Sequence, residues 1–200
     1  MKKLYLIILI GLLFFCFGFS PHMRVIARKK VATIVAACDH DYTTTDSDTT
    51  TAGALGYRII LLGSTLPCDG TKIRITLEAH STNASIIDGT SIGIRSTTTE
   101  DFTGAPTRIT WDSGSSTKTI TASETATSDW MDFTFTAATA YLIHIYMADH
   151  GTQYIRRHAN DSVQDAYYDE NAAGDDTLTV DWTADSSTNN FPFMVTFEVY

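Results

Sequence analysis

A serine set between two glycines is the first place in this chain to look for chemistry. Gly89-Thr90-Ser91-Ile92-Gly93 has the G-x-S-x-G spacing of a nucleophile elbow. An elbow works because a strand turns sharply into a helix and lifts the serine hydroxyl beside an oxyanion hole. Here Ser91 runs on into Ile92-Gly93-Ile94-Arg95, another strand pattern, so the motif is out of its context. The histidines form no metal signature. His144 falls on the same side of a strand pattern as Leu142 and Tyr146 and reads as a packed or edge residue, and His80, His150 and His158 lie near strand ends without partners at ligand spacing. With no nucleophile, acid–base pair or metal cage in pattern, the expectation is a protein that is not an enzyme.

Binding chemistry is better represented. Asp169, Glu170, Asp175 and Asp176 flank a loop at Gly174, and Asp46-Ser47-Asp48 adds a second acidic group. Oxygen ligands crowded on a loop suit structural Ca²⁺, although no EF-hand spacing is present; the other reading is solvated loop acids. Calcium is the one cofactor in view. Among the aromatics, Trp130 is out of phase with Met131, Phe133 and Phe135, and one of Tyr167 and Tyr168 must point outward. Flat rings stack on the apolar C–H face of sugars. The alternative makes Trp111 and Trp182 core and lets the tyrosines cover strand edges. The expected ligand site is a loop end made of Asp101, Phe102, Tyr154, Tyr167 and Tyr168 with the four loop acids, and Trp130 is the candidate on a sheet face.

The elements that must position these groups are strands. In residues 72–80, Ile73, Ile75, Leu77 and Ala79 alternate with polar side chains, and residues 129–136 and 193–199 alternate likewise. A period of two gives each strand one dry and one wet side. Further strands are expected near 57–62, 91–95, 107–111, 117–121, 141–147, 153–158, 163–168 and 177–182. Thr supplies about one residue in six, which suits a pleated half-buried surface, and Asp69-Gly70, Asp88-Gly89, Ser113-Gly114 and Asn189-Asn190 punctuate the runs. The fold expected over residues 56–200 is all-β: one two-sheet antiparallel β-sandwich, jelly-roll-like. Its core should include Ile59, Ile73, Ile75, Leu77, Ile109, Trp111, Phe133, Phe135, Ile143, Ile145, Val180, Trp182, Val195 and Phe197.

Upstream, residues 1–22 form a signal-like hydrophobic leader, with an apolar run at 4–19 behind Lys2 and Lys3. Residues 23–38 are a basic segment and a candidate extra strand, and the Thr/Asp-rich residues 39–55 read as a flexible linker. The basic residues behind the leader oppose export. A lipoprotein-like box at Val35-Ala36-Ala37-Cys38, or a start at Met23, are the competing explanations, and the length and purity of the first run favour export. The first thirty residues hold six basic groups and no acid, leaving eight of 14 Lys and Arg against all 23 acids, a formal −15 for residues 31–200. Such a surface repels phosphate backbones, so nucleic-acid binding is not expected, and membrane contact is expected only through the leader. In an exported protein Cys38 and Cys68 are expected to pair as a disulfide; in a cytoplasmic one both stay reduced.

Several short runs also carry a resemblance. They are Gly56-Tyr57-Arg58-Ile59, Lys72-Ile73-Arg74-Ile75-Thr76-Leu77, Ser91-Ile92-Gly93, Asp101-Phe102 with Gly104-Ala105-Pro106-Thr107, Ser128-Asp129-Trp130-Met131-Asp132-Phe133, Tyr167-Tyr168, Gly174-Asp175-Asp176 and the closing strand at 195–199. In order and spacing they resemble jelly-roll β-sandwich modules of tailed-phage and prophage tail-associated proteins, also found beside some secreted hydrolase domains. The resemblance implies a non-catalytic attachment or accessory module. The expected role is a binding module, extracellular, on a cell surface or on a virion, that recognises a surface glycan or receptor. The alternative is a self-assembling structural subunit, a filament or a capsid or tail decoration, in which residues 25–37 add as a strand to a neighbour's sheet.

Overall fold

The computed structural model describes residues 38–42, 47–62, 66–97, 101–159, 166–169 and 190–200; strands and no helix lie among them. One sheet runs β1 (Cys38–Asp41), β15 (Met194–Val199), β4 (Gly70–Glu78), β10 (Met131–Phe135), with β9 (Thr125–Thr127) also on β4. The facing sheet runs β13 (Ala166–Asp169), β3 (Leu55–Leu61), β11 (Tyr141–Met147), β6 (Gly89–Ile94), β7 (Thr107–Arg108). A three-stranded sheet orders β14 (Asn190–Pro192), β12 (Thr152–Ala159) and β2 (Ser47–Ala52), and β5 (Ser85–Ile87) pairs β8 (Lys118–Ile120). Every pairing is antiparallel. The chain passes between the two main sheets from β3 to β4 and from β10 to β11, as a sandwich with jelly-roll-like crossings requires.

The alternation in sequence explains the packing. Ile73, Ile75 and Leu77 on β4 and Phe197 and Val199 on β15 share one buried cluster with Tyr57, Ile59 and Leu61 on β3 and Ile143 and Ile145 on β11. Each fully buried aliphatic side chain contributes about 1.5–3 kcal/mol by leaving water, so this interface dominates stability. Ile109, Trp111 and Phe135 belong to the same cluster, as expected. Val195 does not, being only half-buried, and Phe133 is half-buried but packs against the cluster's edge. Both sit at irregularities in pairing with β4, between Met194 and Thr196 and between Asp132 and Phe135; on β15 the extra residue shifts the period of two, whereas Met131, Phe133 and Phe135 keep theirs. Phe193 and Met194 fill the interior instead. Phe193 adopts a left-handed φ of 63°, at the point where the chain leaves β12's sheet for β4's. Val180 and Trp182, and the strand expected at 177–182, lie outside the described residues.

The expected linker at 39–55 needs correction. Cys38–Asp41 pairs with β15, with His40 opposite Phe197, and Ser47–Ala52 pairs with β12 over six residues. Among the described residues, strand order therefore starts at Cys38 rather than at 56. Thr-rich backbone completes a ladder here without supplying an apolar face of its own. A disulfide between Cys38 and Cys68, Cα–Cα 6.2 Å, ties β1 to the turn ahead of β4.

Candidate functional site

Strand register sets a polar row across the outer face of the sheet β3–β11–β6–β7. His144 on β11 stands opposite Arg58 on β3 and opposite Ser91 on β6, and Ser91 stands opposite Arg108 on β7. Directly opposed residues share a face. Their chain neighbours Ile59, Ile143, Ile145 and Ile92 face the sandwich core, so alternation sends Arg58, His144 and Ser91 outward. The outer face is nevertheless covered: Arg58 is 0%, His144 1% and Ser91 2% exposed. Tyr167 on β13 is the register partner of Arg58 on its other side.

One end of the row is sealed by an apolar cap. Ile60, Leu142 and Phe102 form a second buried cluster with Leu62 at its margin. The Arg58 guanidinium lies 4.9 Å from the Phe102 ring centroid, and its Nη1 donates to Asp101 Oδ1 at 2.8 Å. Gly93 makes room for this cap, because a Cβ there would lie 2.6 Å from Phe102 Cδ1. The other end opens. A cavity of about 130 Å³ is lined by Ser91, His144, Arg108, Tyr146, Asp88 and Gly89, with Thr90 behind them. Gly89 stands opposite Tyr146, and a Cβ there would meet nothing nearer than 3.7 Å, so its missing side chain helps keep the cavity open.

The cavity mixes donors and acceptors: its hydroxyls can do either, Arg108 only donates and Asp88 only accepts. Ser91 Oγ is buried without a hydrogen-bond partner, and a buried hydroxyl left in that state is unfavourable unless something else occupies the space beside it. Arg108 is at the exposed rim, and the Tyr146 side chain is half-buried. The acid at the margin, Asp88, already accepts from Ala148 N at 2.7 Å and from His150 Nε2 at 2.9 Å. Ser91 and His144 are adjacent but not hydrogen-bonded, so the pair lacks the nucleophile–base contact that acyl transfer needs. A larger, more open cleft of about 450 Å³ runs between β6 and β10, walled by Gly93, Ile94, Gly104, Ala105 and Phe133. Its one charged group, Asp132, is paired with Lys72.

The described members of the loop-end site expected from the sequence lie in different surroundings. Phe102 is 4% exposed and packs inside the cap, so it has no free face for a sugar, and Asp101 braces Arg58. Tyr154 belongs to the third sheet, opposite Thr50, with its ring edge-on to His80 at 5.4 Å. Tyr167, Tyr168 and Asp169 pair with Arg58, Tyr57 and Gly56 on β3, so Asp101 and Tyr167 do come to the same residue, Arg58, whereas Tyr154 does not. Trp130 carries the Arg74 guanidinium over its ring at 4.6 Å and meets Tyr200 edge-on at 6.2 Å, which occupies one of its faces. Glu170, Asp175 and Asp176 lie outside the described residues, among which no group of three metal-ligating side chains occurs.

Two acids with altered acidity serve the fold instead. Burial pushes the Asp48 carboxyl up, but Ser81 donating through Oγ and N, Arg156, and the nearby His80 together pull it below its ordinary value. Asp48 thereby fastens β2 to the end of β4. Asp129 is lowered chiefly by the Ser113 N–H, against some burial, with help from Thr110 and Gly114. It holds a turn in which Asp112, Ser113 and Gly114 all have positive φ.

Sequence reasoning passed over Arg58 and Arg108 and set Ser91 and His144 aside. The available signal was Gly89 and Gly93, two glycines on the same face of one strand beside a polar residue; their partners on three other strands depend on register, which composition does not encode. No family model matches the chain, and no curated protein matches it significantly.

Proposed function

We propose that the chain is a non-catalytic binding module that recognises a surface glycan on the outer face of the sheet β3–β11–β6–β7. The observation that carries this reading is the cavity where Ser91, His144 and Arg108 meet along one cross-strand row, with a buried hydroxyl awaiting a partner. Convergent polar groups in a concave, preformed site are what a small ligand requires. The Cys38–Cys68 disulfide supports an oxidising compartment, in line with export to a cell surface or virion. The absence of a Ser91–His144 hydrogen bond favours binding over hydrolysis.

A glycan array probed with the purified protein tests the proposal, and defined bound glycans are the expected result. The competing reading, a self-assembling subunit, is favoured by one feature: β1, which begins at the end of the basic segment 23–38, is an edge strand of its sheet among the described residues. A blank array together with polymers in the electron microscope supports that subunit. Ester or glycoside hydrolysis lost on Ser91→Ala overturns the non-catalytic assignment.

A further inference from the structure

We infer that the cleft between β6 and β10 is an acceptor groove for a second copy of this chain, whose residues 31–37 add as a strand beside β10. This deepens the self-assembling reading above and does not depend on glycan binding, because the cavity beside Ser91 lies on the outer face of its sheet.

Alternation shows that the sandwich interior is left open here. On β6, Ile92 faces the core, so Ile94, two residues on, is directed to the same side. On β10, Phe133 shares a side with Met131 and Phe135. Ile94 is nevertheless 50% exposed and Phe133 only half-buried, and both wall the same cleft of about 450 Å³. That is roughly three times a cavity that holds a benzene ring, so several aliphatic side chains fit. Among the described residues, β10 pairs with β4 on one side and with no strand on the other, and β7 covers β6 only at Ser91 and Ile92. A free strand edge above an apolar groove is what strand addition requires: the edge supplies backbone hydrogen bonds and the groove takes alternate side chains.

Sequence and topology select the occupant. Val31-Ala32-Thr33-Ile34-Val35-Ala36-Ala37 carries no charge, and four of its seven residues are β-branched. Its apolar residues fall on both faces, as in a strand covered on two sides. Fully extended it measures about 23 Å, enough to run the length of the five-residue β10. The segment leads directly into β1, and β1 and β10 are opposite edges of one sheet, in the order β1-β15-β4-β10. A donor at one edge and an acceptor at the other make a head-to-tail contact, which builds a filament or closes into a ring.

Charge and the disulfide fit the same arrangement. Arg24, Arg28, Lys29 and Lys30 precede the apolar run, whereas residues 31–200 hold eight basic groups against 23 acids, so donor and acceptor attract. The Cys38–Cys68 bond sits at the base of the donor and ties β1 to the turn ahead of β4. It keeps that strand on its own sheet when a neighbour takes the segment before it.

Size-exclusion chromatography with light scattering on the oxidised chain from Met23 to Tyr200 tests this. The wild type is expected to form assemblies larger than a dimer. Two variants split the contact: Ile34→Asp with Val35→Asp charges both faces of the donor, and Ile94→Asp charges the groove at an exposed position that leaves the core intact. Each alone should be monomeric. Mixing them should give a 1:1 dimer, since one keeps the groove and the other keeps the segment. A further measurement does not rely on the groove variant: a peptide of residues 23–37 added to the donor variant should shift the amides of Ile94, Phe133 and Thr134. Ile34→Asp in that peptide should weaken its binding at least about tenfold. A monomeric wild type, assemblies that persist in both variants, or a peptide that leaves the cleft amides unmoved overturns the proposal. The glycan array is read separately, so a blank array leaves this acceptor groove standing and bound glycans do not rescue it.

Discussion

Replacing each glycine of Gly89-Thr90-Ser91-Ile92-Gly93 by alanine separates a packing role from a catalytic one. At Gly93 a Cβ would stand 2.6 Å from Phe102 Cδ1 and 3.2 Å from Cε1, too close for either atom to stay. Phe102 is 4% exposed and held between the Ile60–Leu142 cluster and the Arg58 guanidinium, so it must shift as a unit. Overpacking of this kind costs about 1–3 kcal/mol, offset by about 0.4–1 kcal/mol because alanine restricts the unfolded chain. At Gly89 the nearest atom is Tyr146 Cβ at 3.7 Å, ordinary contact, and only the favourable term remains. Gly93→Ala should therefore lose about 1–2 kcal/mol, roughly 2–8 °C in Tm for a domain of this size. Gly89→Ala should be neutral or slightly stabilising. Urea and thermal unfolding measure both. Equal destabilisation by the two variants, or none by Gly93→Ala, refutes the packing explanation.

Four further outcomes are expected. Ser91→Ala removes a buried hydroxyl without a partner, so the ligand-free protein should gain up to about 1 kcal/mol in urea unfolding while glycan binding falls. Reducing the Cys38–Cys68 disulfide, which closes a 30-residue separation, should lower stability by roughly 3.5 kcal/mol and speed hydrogen exchange along β1, comparing urea midpoints with and without reductant. Asp129 has a folded-state pKa below its unfolded one, so it stabilises above the unfolded value and that contribution disappears as pH falls through the folded value. Asp129→Asn should accordingly cost about 1–2 kcal/mol at pH 7, with the gap to wild type closing below about pH 4 in pH-dependent unfolding. Trp130→Ala should cost about 1 kcal/mol through its lost contact with Arg74 and leave binding on the glycan array unchanged.

The sandwich was legible because β4 and β10 announce themselves by alternation, and apolar side chains at every second position have few other ways to be buried. β2 was not, since Ser47–Ala52 has no dry side: its residues are exposed or half-buried throughout, and it is held by backbone pairing with β12. Its threonines were the available hint. Val195 was misplaced because the irregularity beside Met194 shifts the phase by one residue, and no residue type marks it. One aromatic candidate was misread for a related reason. Phe102 looked like a loop ring fit for stacking, yet Gly93, nine residues earlier and on a neighbouring strand, lets it fold down onto the sheet. The row Arg58–His144–Ser91–Arg108 draws on four strands, and its alignment follows from pairing register alone.

Amide chemical-shift mapping of the purified protein against the glycan selected by the array addresses the binding face most directly. Ligand-dependent shifts should centre on Ser91, His144 and Arg108, extend to Tyr146 and Gly89, and leave Tyr154 and Trp130 unmoved. Shifts centred on Tyr154, on Trp130 or on the cleft at Ile94 and Phe133, with Ser91 and Arg108 silent, contradict the assignment of that face.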